Sequence, residues 1–168
     1  GTITLGNGSA SLVLNHTSNS YTLASTITGN GTLKVLAGQS TLTASTTFTG
    51  TTEIANGAAL TMATGAGLAS AVSIASGGTL TAGTNSTGGL TNNGTLTLTR
   101  IDTNHPLLTI NGNYTQGSGG RTEIAAWSAK DATSAISRSL KACACVRPSV
   151  STPMTVPSRR IGTPSSVR

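Results

Sequence analysis

Residues that could support acid–base chemistry are scarce in the first 120 positions of this sequence. Up to Gly120 the only carboxylates are those of Glu53 and Asp102, which are about fifty positions apart. Glycosidase chemistry needs two carboxyl groups about 5–10 Å apart, and a Ca²⁺ site needs several oxygen ligands. Two distant acids can build neither arrangement. We therefore expect Glu53 to be a solvated turn residue.

Nucleophilic and metal-binding chemistry also lacks a complete set of residues. His16 and His105 are the only histidines, and Asp102 is near His105, but no G-x-S-x-G elbow presents a serine nucleophile. Cys143 and Cys145 are the only cysteines, and no further Cys or His follows at metal-ligand spacing. We expect both histidines to lie in surface loops. We expect no catalytic, cofactor-binding or metal-binding residues, and no enzyme.

Charge and composition divide the chain at one point. Up to Gly120 the charges cancel, whereas the residues from Arg121 onward carry eight basic and two acidic side chains, which accounts for the net charge of +6. Four of the five prolines lie beyond 120, and 20 of the 21 glycines lie up to it. The basic character therefore belongs to the tail, and it does not support nucleic-acid binding by the body of the chain.

The composition also predicts a narrow core made of aliphatic side chains. Only 2% of the residues are aromatic and 8% are charged, whereas an ordinary globular domain has about 25% charged residues. A globular core of this size normally contains aromatic side chains, which bury about 150–250 Å² each. A thin stacked core does not need them.

Glycines recur just before segments with strand-like alternation, at unequal intervals along the chain. They are Gly8, Gly31, Gly57, Gly77, Gly94 and Gly112. Aliphatic and small polar side chains alternate after most of them; the aliphatic pairs are Leu33/Val35, Leu60/Met62, Val72/Ile74 and Leu96/Leu98. Alternate side chains of a strand point to opposite faces. We therefore expect these aliphatic residues to face inward.

Two all-β arrangements can use such strands. A meander or sandwich pairs neighbouring strands antiparallel, whereas a parallel β-helix pairs each strand with its counterpart one coil later. Similar segments return at intervals of roughly twenty residues; they include GNGTLKV at 29–35, SGGTLTA at 76–82 and NNGTLTLT at 92–99. This self-similarity predicts an all-β fold for residues 1–120, a right-handed single-stranded parallel β-helix of about six coils.

The segment Thr41–Met62, TLTASTTFTGTTEIANGAALTM, resembles the autotransporter-associated β-strand repeat of bacterial type V secretion proteins. Phe48 stands at the aromatic place of that repeat, Thr49–Thr52 at its TGGTT turn with one glycine fewer, and Ile54 at its buried isoleucine. LTINGNYTQGSGG at 108–120 is similar to a coil that often comes late in such passenger domains, before the membrane barrel.

The resemblance implies a structural or adhesive stalk segment of an autotransporter passenger, exposed at the outer membrane of a Gram-negative bacterium or secreted from it. Its partners would be neighbouring coils of a longer chain, the outer-membrane barrel of the same polypeptide, and a host surface or other bacterial cells. Because the chain begins in mid-pattern with GTITLGNG, we interpret it as a fragment. The alternatives are a fragment of a polysaccharide-acting β-helix enzyme whose active coils are missing, and a secreted repeat protein without a barrel.

Residues 121–168 depart from the repeat. After Gly120 the coil periodicity stops, glycine becomes rare, and arginine, serine and proline take its place. We interpret this basic tail as disordered, irregular or partly helical. One hypothesis is out-of-frame translation from about residue 121, which the other reading frames of the encoding DNA would test; the alternative is a genuine basic linker.

Threonine pairs separated by one residue form a further surface motif. They occur at Thr2/Thr4, Thr26/Thr28, Thr41/Thr43, Thr79/Thr81 and Thr95/Thr97. Stacked rows of such pairs resemble the flat ice-binding face of some antifreeze solenoids. The intervals between successive pairs are unequal, and the one from Thr41 to Thr79 is the longest. We interpret this spacing as too irregular for one flat ladder.

Overall fold

The computed structural model describes residues 1–99 and 108–125, which form sixteen β-strands and no helix. The strands are β1 (Thr2–Leu5), β2 (Ser11–Asn15), β3 (Tyr21–Leu23), β4 (Thr26–Gly29), β5 (Thr32–Ala37), β6 (Gln39–Leu42), β7 (Thr51–Ile54), β8 (Ala59–Met62), β9 (Ala71–Ile74), β10 (Thr79–Ala82), β11 (Asn85–Thr87), β12 (Leu90–Asn92), β13 (Thr95–Thr99), β14 (Leu108–Ile110), β15 (Tyr114–Gln116) and β16 (Arg121–Ala125). This part of the chain therefore has no helix long and apolar enough to cross a membrane.

The strands stack into three faces of a solenoid. Face B contains β2, β5, β7, β9, β12 and β15 in that order, and face C contains β3, β6, β8, β10, β13 and β16. Face A is less regular: β1 pairs with β4, β11 pairs with β14, and the single bridges Thr46–Leu68 and Gly67–Ser86 continue the stack between them. The chain thus visits the three faces in turn, and faces B and C gain one strand with each coil.

Every strand pair is parallel, which confirms the predicted parallel β-helix and rejects the antiparallel meander. Faces B and C each hold six stacked strands, and the solenoid makes about five turns. Five interstrand steps of about 4.8 Å give a stack about 24 Å tall. The coils differ in length: Thr79 is in register with Thr95, whereas Thr95 is in register with the more distant Arg121.

The core is a column of aliphatic side chains inside the coils. On face C, Leu60, Leu80 and Leu96 occupy the same register position on β8, β10 and β13, and none is more than 2% exposed. On face B, Ile54 and Ile74 are aligned in the same way on β7 and β9. The predicted inward direction is confirmed for the whole alternating set, which is Leu33, Val35, Leu60, Met62, Val72, Ile74, Leu96 and Leu98.

Glycine is required at two kinds of corner. Gly57 and Gly77, between faces B and C on successive coils, have φ angles of 78° and 77°, a backbone region that residues with a Cβ rarely adopt. The amide of Gly57 donates to the carbonyl of Gly77 at 3.1 Å, so the two corners stack. Gly50, between faces A and B, is needed because a Cβ there would overlap the carbonyl oxygen of Gly31 in the preceding coil.

The last described strand lies beyond Gly120, the predicted end of the solenoid. β16 pairs in parallel with β13 and adds the sixth strand to face C. Its outward positions carry Arg121 and Glu123, whose Nε and Oε1 atoms lie 2.8 Å apart. The rest of the predicted tail, residues 126–168, lies outside the described residues.

Candidate interaction surface

Glu53 lies within strand β7 and not in a turn, which corrects the sequence-based expectation. Its side chain points outward from face B because its neighbours Thr52 and Ile54 are buried. The register places it beside Lys34 of β5, and Lys34 Nζ lies 3.5 Å from Glu53 Oε2. With side-chain exposures of 38% for Lys34 and 50% for Glu53, both groups stay solvated. They form an exposed ion pair that connects two coils.

His16 lies in the loop between β2 and β3, but its ring is half-buried, whereas a surface-loop position was expected. Its Nε2 lies 3.0 Å from Ser40 Oγ, and its ring centroid lies 5.0 Å from that of Tyr21. Ser40 is only 1% exposed, so a substrate cannot reach its hydroxyl. The His16–Ser40 contact therefore connects the first and second coils and does not form a nucleophilic site.

The other residues considered for chemistry lie outside the described part of the chain. They are Asp102, His105, Cys143 and Cys145. Within residues 1–99 and 108–125, no three His, Cys, Asp or Glu side chains come together in a way that would hold a metal ion. The polar groups that the structure does bring together are hydroxyls and amides, and they lie on the faces of the solenoid and inside its coils.

Face C carries a row of threonines on five consecutive strands, β3, β6, β8, β10 and β13. We call this row the threonine ladder; its members are successive register partners, Thr22, Thr41, Thr61, Thr81 and Thr97. On β6, β8, β10 and β13 the residues on both sides of the ladder threonine are buried, so the threonine points outward. Thr79 and Thr95, two residues earlier on β10 and β13, begin a second and shorter row.

The ladder forms although its threonines are unevenly spaced along the chain. The step from Thr81 to Thr97 is shorter than the step from Thr61 to Thr81, yet each pair is in direct register. The loops absorb the difference, and each strand returns to the same position in the stack. The Thr-x-Thr pairs themselves do not form one ladder, in agreement with the sequence-based expectation. On face C only Thr79/Thr81 and Thr95/Thr97 stack as pairs, and the register aligns Thr41 with the second threonine of each. The remaining pairs, Thr2/Thr4 and Thr26/Thr28, stack on each other on face A.

The ladder hydroxyls face solvent. Thr22 is exposed, and the other four members are partly exposed. Among the described residues, the threonine hydroxyls that make hydrogen bonds belong to other positions. Thr28 and Thr4 on face A, for example, are joined by a hydrogen bond of 3.2 Å between their hydroxyls. From β6 to β13, the strands of face C contain no charged and no aromatic residue. The ladder is thus an uncharged surface of hydroxyl and methyl groups.

Two buried asparagines connect adjacent coils, and sequence reasoning did not identify them. Asn85 and Asn92 are 5% and 0% exposed. Asn85 Oδ1 accepts the N–H of Gly83, and Asn92 Oδ1 accepts the N–H of Gly94. Asn85 Nδ2 donates to the carbonyls of Ala63 and Ala66, and Asn92 Nδ2 donates to the carbonyl of Arg121; these carbonyls belong to an adjacent coil. The only sequence signal for this role is a glycine two residues from the asparagine, Gly83 in one case and Gly94 in the other.

No protein-family model, curated protein or solved structure matches this chain. Function must therefore be inferred from the solenoid, from the chemistry of its outward faces, and from the resemblance carried by Thr41–Met62. Among the described residues, the threonine ladder is the most regular surface feature, because its members repeat without interruption over five strands.

Proposed function

We propose that this chain is a structural and adhesive stalk segment of a bacterial autotransporter passenger, exposed on the cell surface or secreted from it. The observation that carries the proposal is the continuous parallel stacking of faces B and C, six strands in each. The resemblance of Thr41–Met62 to the passenger repeat supports it, because Phe48 and Ile54 occupy positions that the repeat fills with apolar residues. Both side chains are at most 1% exposed.

The stack gives a physical reason for a stalk role. Each coil satisfies its backbone N–H and C=O groups on the coils above and below, so stability is close to a sum of coil terms and interfaces between neighbours. Each added coil lengthens the rod by about 4.8 Å. The described residues include no cysteine, so stacking and hydrogen bonds hold this part of the rod together without a disulfide.

Adhesion in this proposal results from repetition of weak contacts. The outward positions of the coils carry threonine, serine and asparagine, which make individually weak hydrogen bonds with a host surface or another cell. Many weak sites on one rigid rod act together and can raise the overall affinity by about 10²–10⁴-fold. The proposed partners are neighbouring coils of a longer chain, the barrel that exports it, and the surface to which the cell attaches.

The location can be tested on cells that naturally produce this chain. Antibodies raised against the purified chain should label intact cells, and brief proteinase K treatment of intact cells should remove the label. A periplasmic protein serves as the control, because it should become accessible only after the outer membrane is permeabilised. Labelling that requires permeabilisation would refute the surface location.

The adhesive part requires a separate measurement. Cells in which residues 1–99 are deleted in frame should attach less to host cells or to one another, while the amount of displayed passenger stays unchanged. If the passenger remains on the surface and both kinds of attachment are unaffected, the adhesive role is wrong and only the stalk role remains.

A further inference from the structure

Asparagine precedes glycine at five places in this chain, and the five pairs lie in different surroundings. Because glycine has no Cβ, its amide nitrogen can approach the side-chain carbon of the preceding asparagine closely. That approach can close a succinimide ring and expel ammonia, so each pair is a possible site of intramolecular chemistry. The surroundings of the two reacting groups decide which pair reacts. The pairs are Asn7–Gly8, Asn30–Gly31, Asn56–Gly57, Asn93–Gly94 and Asn111–Gly112.

Two of the pairs lie at corners between faces B and C, where neighbouring residues hold them. The N–H of Gly57 donates to the carbonyl of Gly77 at 3.1 Å, and the Asn56 side chain packs over Gly77. The N–H of Gly94 donates to Asn92 Oδ1 at 3.1 Å, and Gly94 is buried. A glycine nitrogen whose N–H is already donated must break that hydrogen bond before it can attack. Both pairs are therefore protected from ring closure in the folded chain.

The pairs at Asn30 and Asn111 are held in part by the coil beside them. The backbone N–H of Asn30 donates to the carbonyl of Leu5, and Gly31 is buried. Burial shields the Gly31 nitrogen from the water or hydroxide that must take its proton. The backbone of Asn111 is also paired with an earlier coil, but Asn111 and the glycine after it are exposed. Asn111 therefore provides an accessible pair with which the remaining one can be compared.

The Asn7–Gly8 pair lies in the turn between β1 and β2, and its nitrogen is free. The N–H of Ala10 donates to the carbonyl of Asn7 at 2.9 Å, so the four residues form a β-turn with Gly8 at its second position. The hydrogen bond of such a turn does not use the N–H at that position. Among the described residues the Gly8 N–H has no acceptor, and a Cβ on Gly8 would meet nothing within 4 Å. Asn7, Gly8 and Ser9 are all exposed, so water reaches the reacting groups.

Ser9 adds a hydrogen-bond donor to this turn. Its Oγ donates to Asn7 Oδ1 at 2.7 Å. When the Gly8 nitrogen attacks Asn7 Cγ, negative charge develops on Oδ1, and a donor already directed at that oxygen stabilises the charge. Within the described part of the chain, Asn7 is the only one of the five asparagines whose side-chain oxygen accepts a hydroxyl. A free nucleophile and an activated amide therefore meet in one exposed turn.

We propose that Asn7, Gly8 and Ser9 form a self-modifying site, at which Asn7 deamidates while the solenoid stays folded. The Gly8 nitrogen loses its proton to hydroxide or water and forms a bond to Asn7 Cγ. The bond from Cγ to Nδ2 breaks, and Nδ2 takes up a proton from solvent and leaves as ammonia. Water then opens the succinimide. Attack at Cγ gives aspartate, and attack at the backbone carbonyl carbon gives isoaspartate, in which the main chain runs through the side chain.

The modification changes the surface charge and leaves the stack in place. The charges of residues 1–120 cancel, so conversion of the neutral amide of Asn7 to a carboxylate gives this part of the chain a net negative charge. β1 and β2 on either side of the turn keep their pairing with β4 and β5. The reaction needs only water, and it requires no cofactor and no second protein. This chemistry goes beyond the stalk role and does not depend on it.

The test incubates the purified full chain in mildly alkaline buffer and follows each Asn-Gly pair by peptide mapping with mass spectrometry. In the folded chain, Asn7 should lose its amide first and clearly faster than Asn111, whereas Asn56 and Asn93 should keep theirs. The same chain unfolded in guanidinium chloride is the control. There the five pairs should react at similar rates, because only the folded structure distinguishes them. Fragmentation of the modified peptide should show both aspartate and isoaspartate at position 7.

Two substitutions at Ser9 test the hydroxyl, with Asn111 as the reference in the same sample. Ser9→Ala removes the donor and should slow the reaction of Asn7 about 2- to 10-fold, the effect of losing one exposed hydrogen bond. Ser9→Thr keeps a hydroxyl and should react at close to the wild-type rate. Circular dichroism checks that both variants fold.

Three results would overturn the proposal. One is an Asn7 that reacts no faster than Asn56 and Asn93 in the folded chain. The second is an unchanged Asn7 rate in folded Ser9→Ala, which would show that the hydroxyl takes no part. The third is aspartate alone at position 7, because direct hydrolysis of the amide gives no isoaspartate and needs no attack by Gly8.

Discussion

A buried pair of hydroxyls offers a direct test of how the coils are held together. The side-chain oxygens of Thr52 and Ser70 lie 2.8 Å apart, and the residues come from successive coils. Both are 0% exposed. Removing one hydroxyl leaves the other buried without its partner, which costs about 1–3 kcal/mol. We therefore expect Thr52→Val and Ser70→Ala each to lower the free energy of unfolding by about that amount.

The double variant should behave differently from the sum of the single variants. Thr52→Val/Ser70→Ala removes both polar groups, and replacing both partners of a buried hydrogen bond by apolar groups can be nearly neutral. The double variant should therefore lose less stability than either single variant. A double-mutant cycle measures this coupling, because the two residues are in direct contact.

Urea unfolding followed by far-UV circular dichroism is the assay. For a slope of about 1–3 kcal/mol per molar urea, a loss of about 2 kcal/mol moves the midpoint by roughly 1 M. Thr91→Val is the matched control, because Thr91 also lies on a strand of face B but is exposed, and surface substitutions usually change stability by less than about 0.5 kcal/mol. Additive losses in the double variant would refute the idea that the two hydroxyls satisfy each other.

The other predictions concern the core, the corners and the surface. Phe48 is fully buried, so Phe48→Ala should lower the free energy of unfolding by about 3–5 kcal/mol. Phe48→Leu should lower it clearly less, and equal losses of the two variants in urea unfolding would contradict this packing role. Gly50→Ala should destabilise the fold more than Gly57→Ala. A Cβ at position 50 would overlap the backbone of the preceding coil, whereas a Cβ at position 57 would meet open space. At position 57 the only cost is the strained φ angle, which is about 1–2 kcal/mol. Equal midpoints would contradict that ranking. Lys34→Ala should lower the free energy of unfolding by at most about 1 kcal/mol, since the ion pair with Glu53 is exposed. In 1 M salt the Debye length is about 3 Å, so this small loss should become smaller. A larger loss that persists in 1 M salt would show that the pair is not a simple surface contact.

The core was predictable from the sequence because it depends on a local pattern. In Leu96–Thr97–Leu98 the alternation alone determines which side chains face inward, since successive residues of a strand point to opposite faces. The glycine before the strand marks the corner. These two signals predicted the aliphatic column correctly, and they required no knowledge of which strands are partners. The parallel solenoid was predicted from a third signal, the return of similar segments at intervals of roughly twenty residues.

The assignment of strands to faces was not predictable from the same pattern. The Gly-Thr-Leu copies look equivalent, but the one at 31–33 begins β5 on face B, whereas those at 78–80 and 94–96 begin β10 and β13 on face C. The corner before face B and the corner before face C both accept a small residue that is followed by an outward threonine and an inward leucine. The motif therefore predicts a corner but does not distinguish the two. The Thr52–Ser70 pair was missed for a related reason, since each hydroxyl is satisfied by a partner one coil away.

The threonine ladder shows how distance along the chain and position in the stack become independent. A coil can shorten, as between Thr81 and Thr97, because its loops change length while its strands keep their backbone pairing. The same pairing aligns the inward positions into one column: Leu60, Leu80 and Leu96 are register partners, and each lies one residue before a ladder threonine. A threonine that directly follows this inward position is carried into the ladder, whatever the length of the preceding loop, and Thr41 belongs to the ladder although Ser40 occupies the inward position before it. To align the repeats of such a chain, the buried positions of the strands are therefore a better guide than a fixed repeat length. The repeat length changes with the loops, whereas the buried positions stay in register.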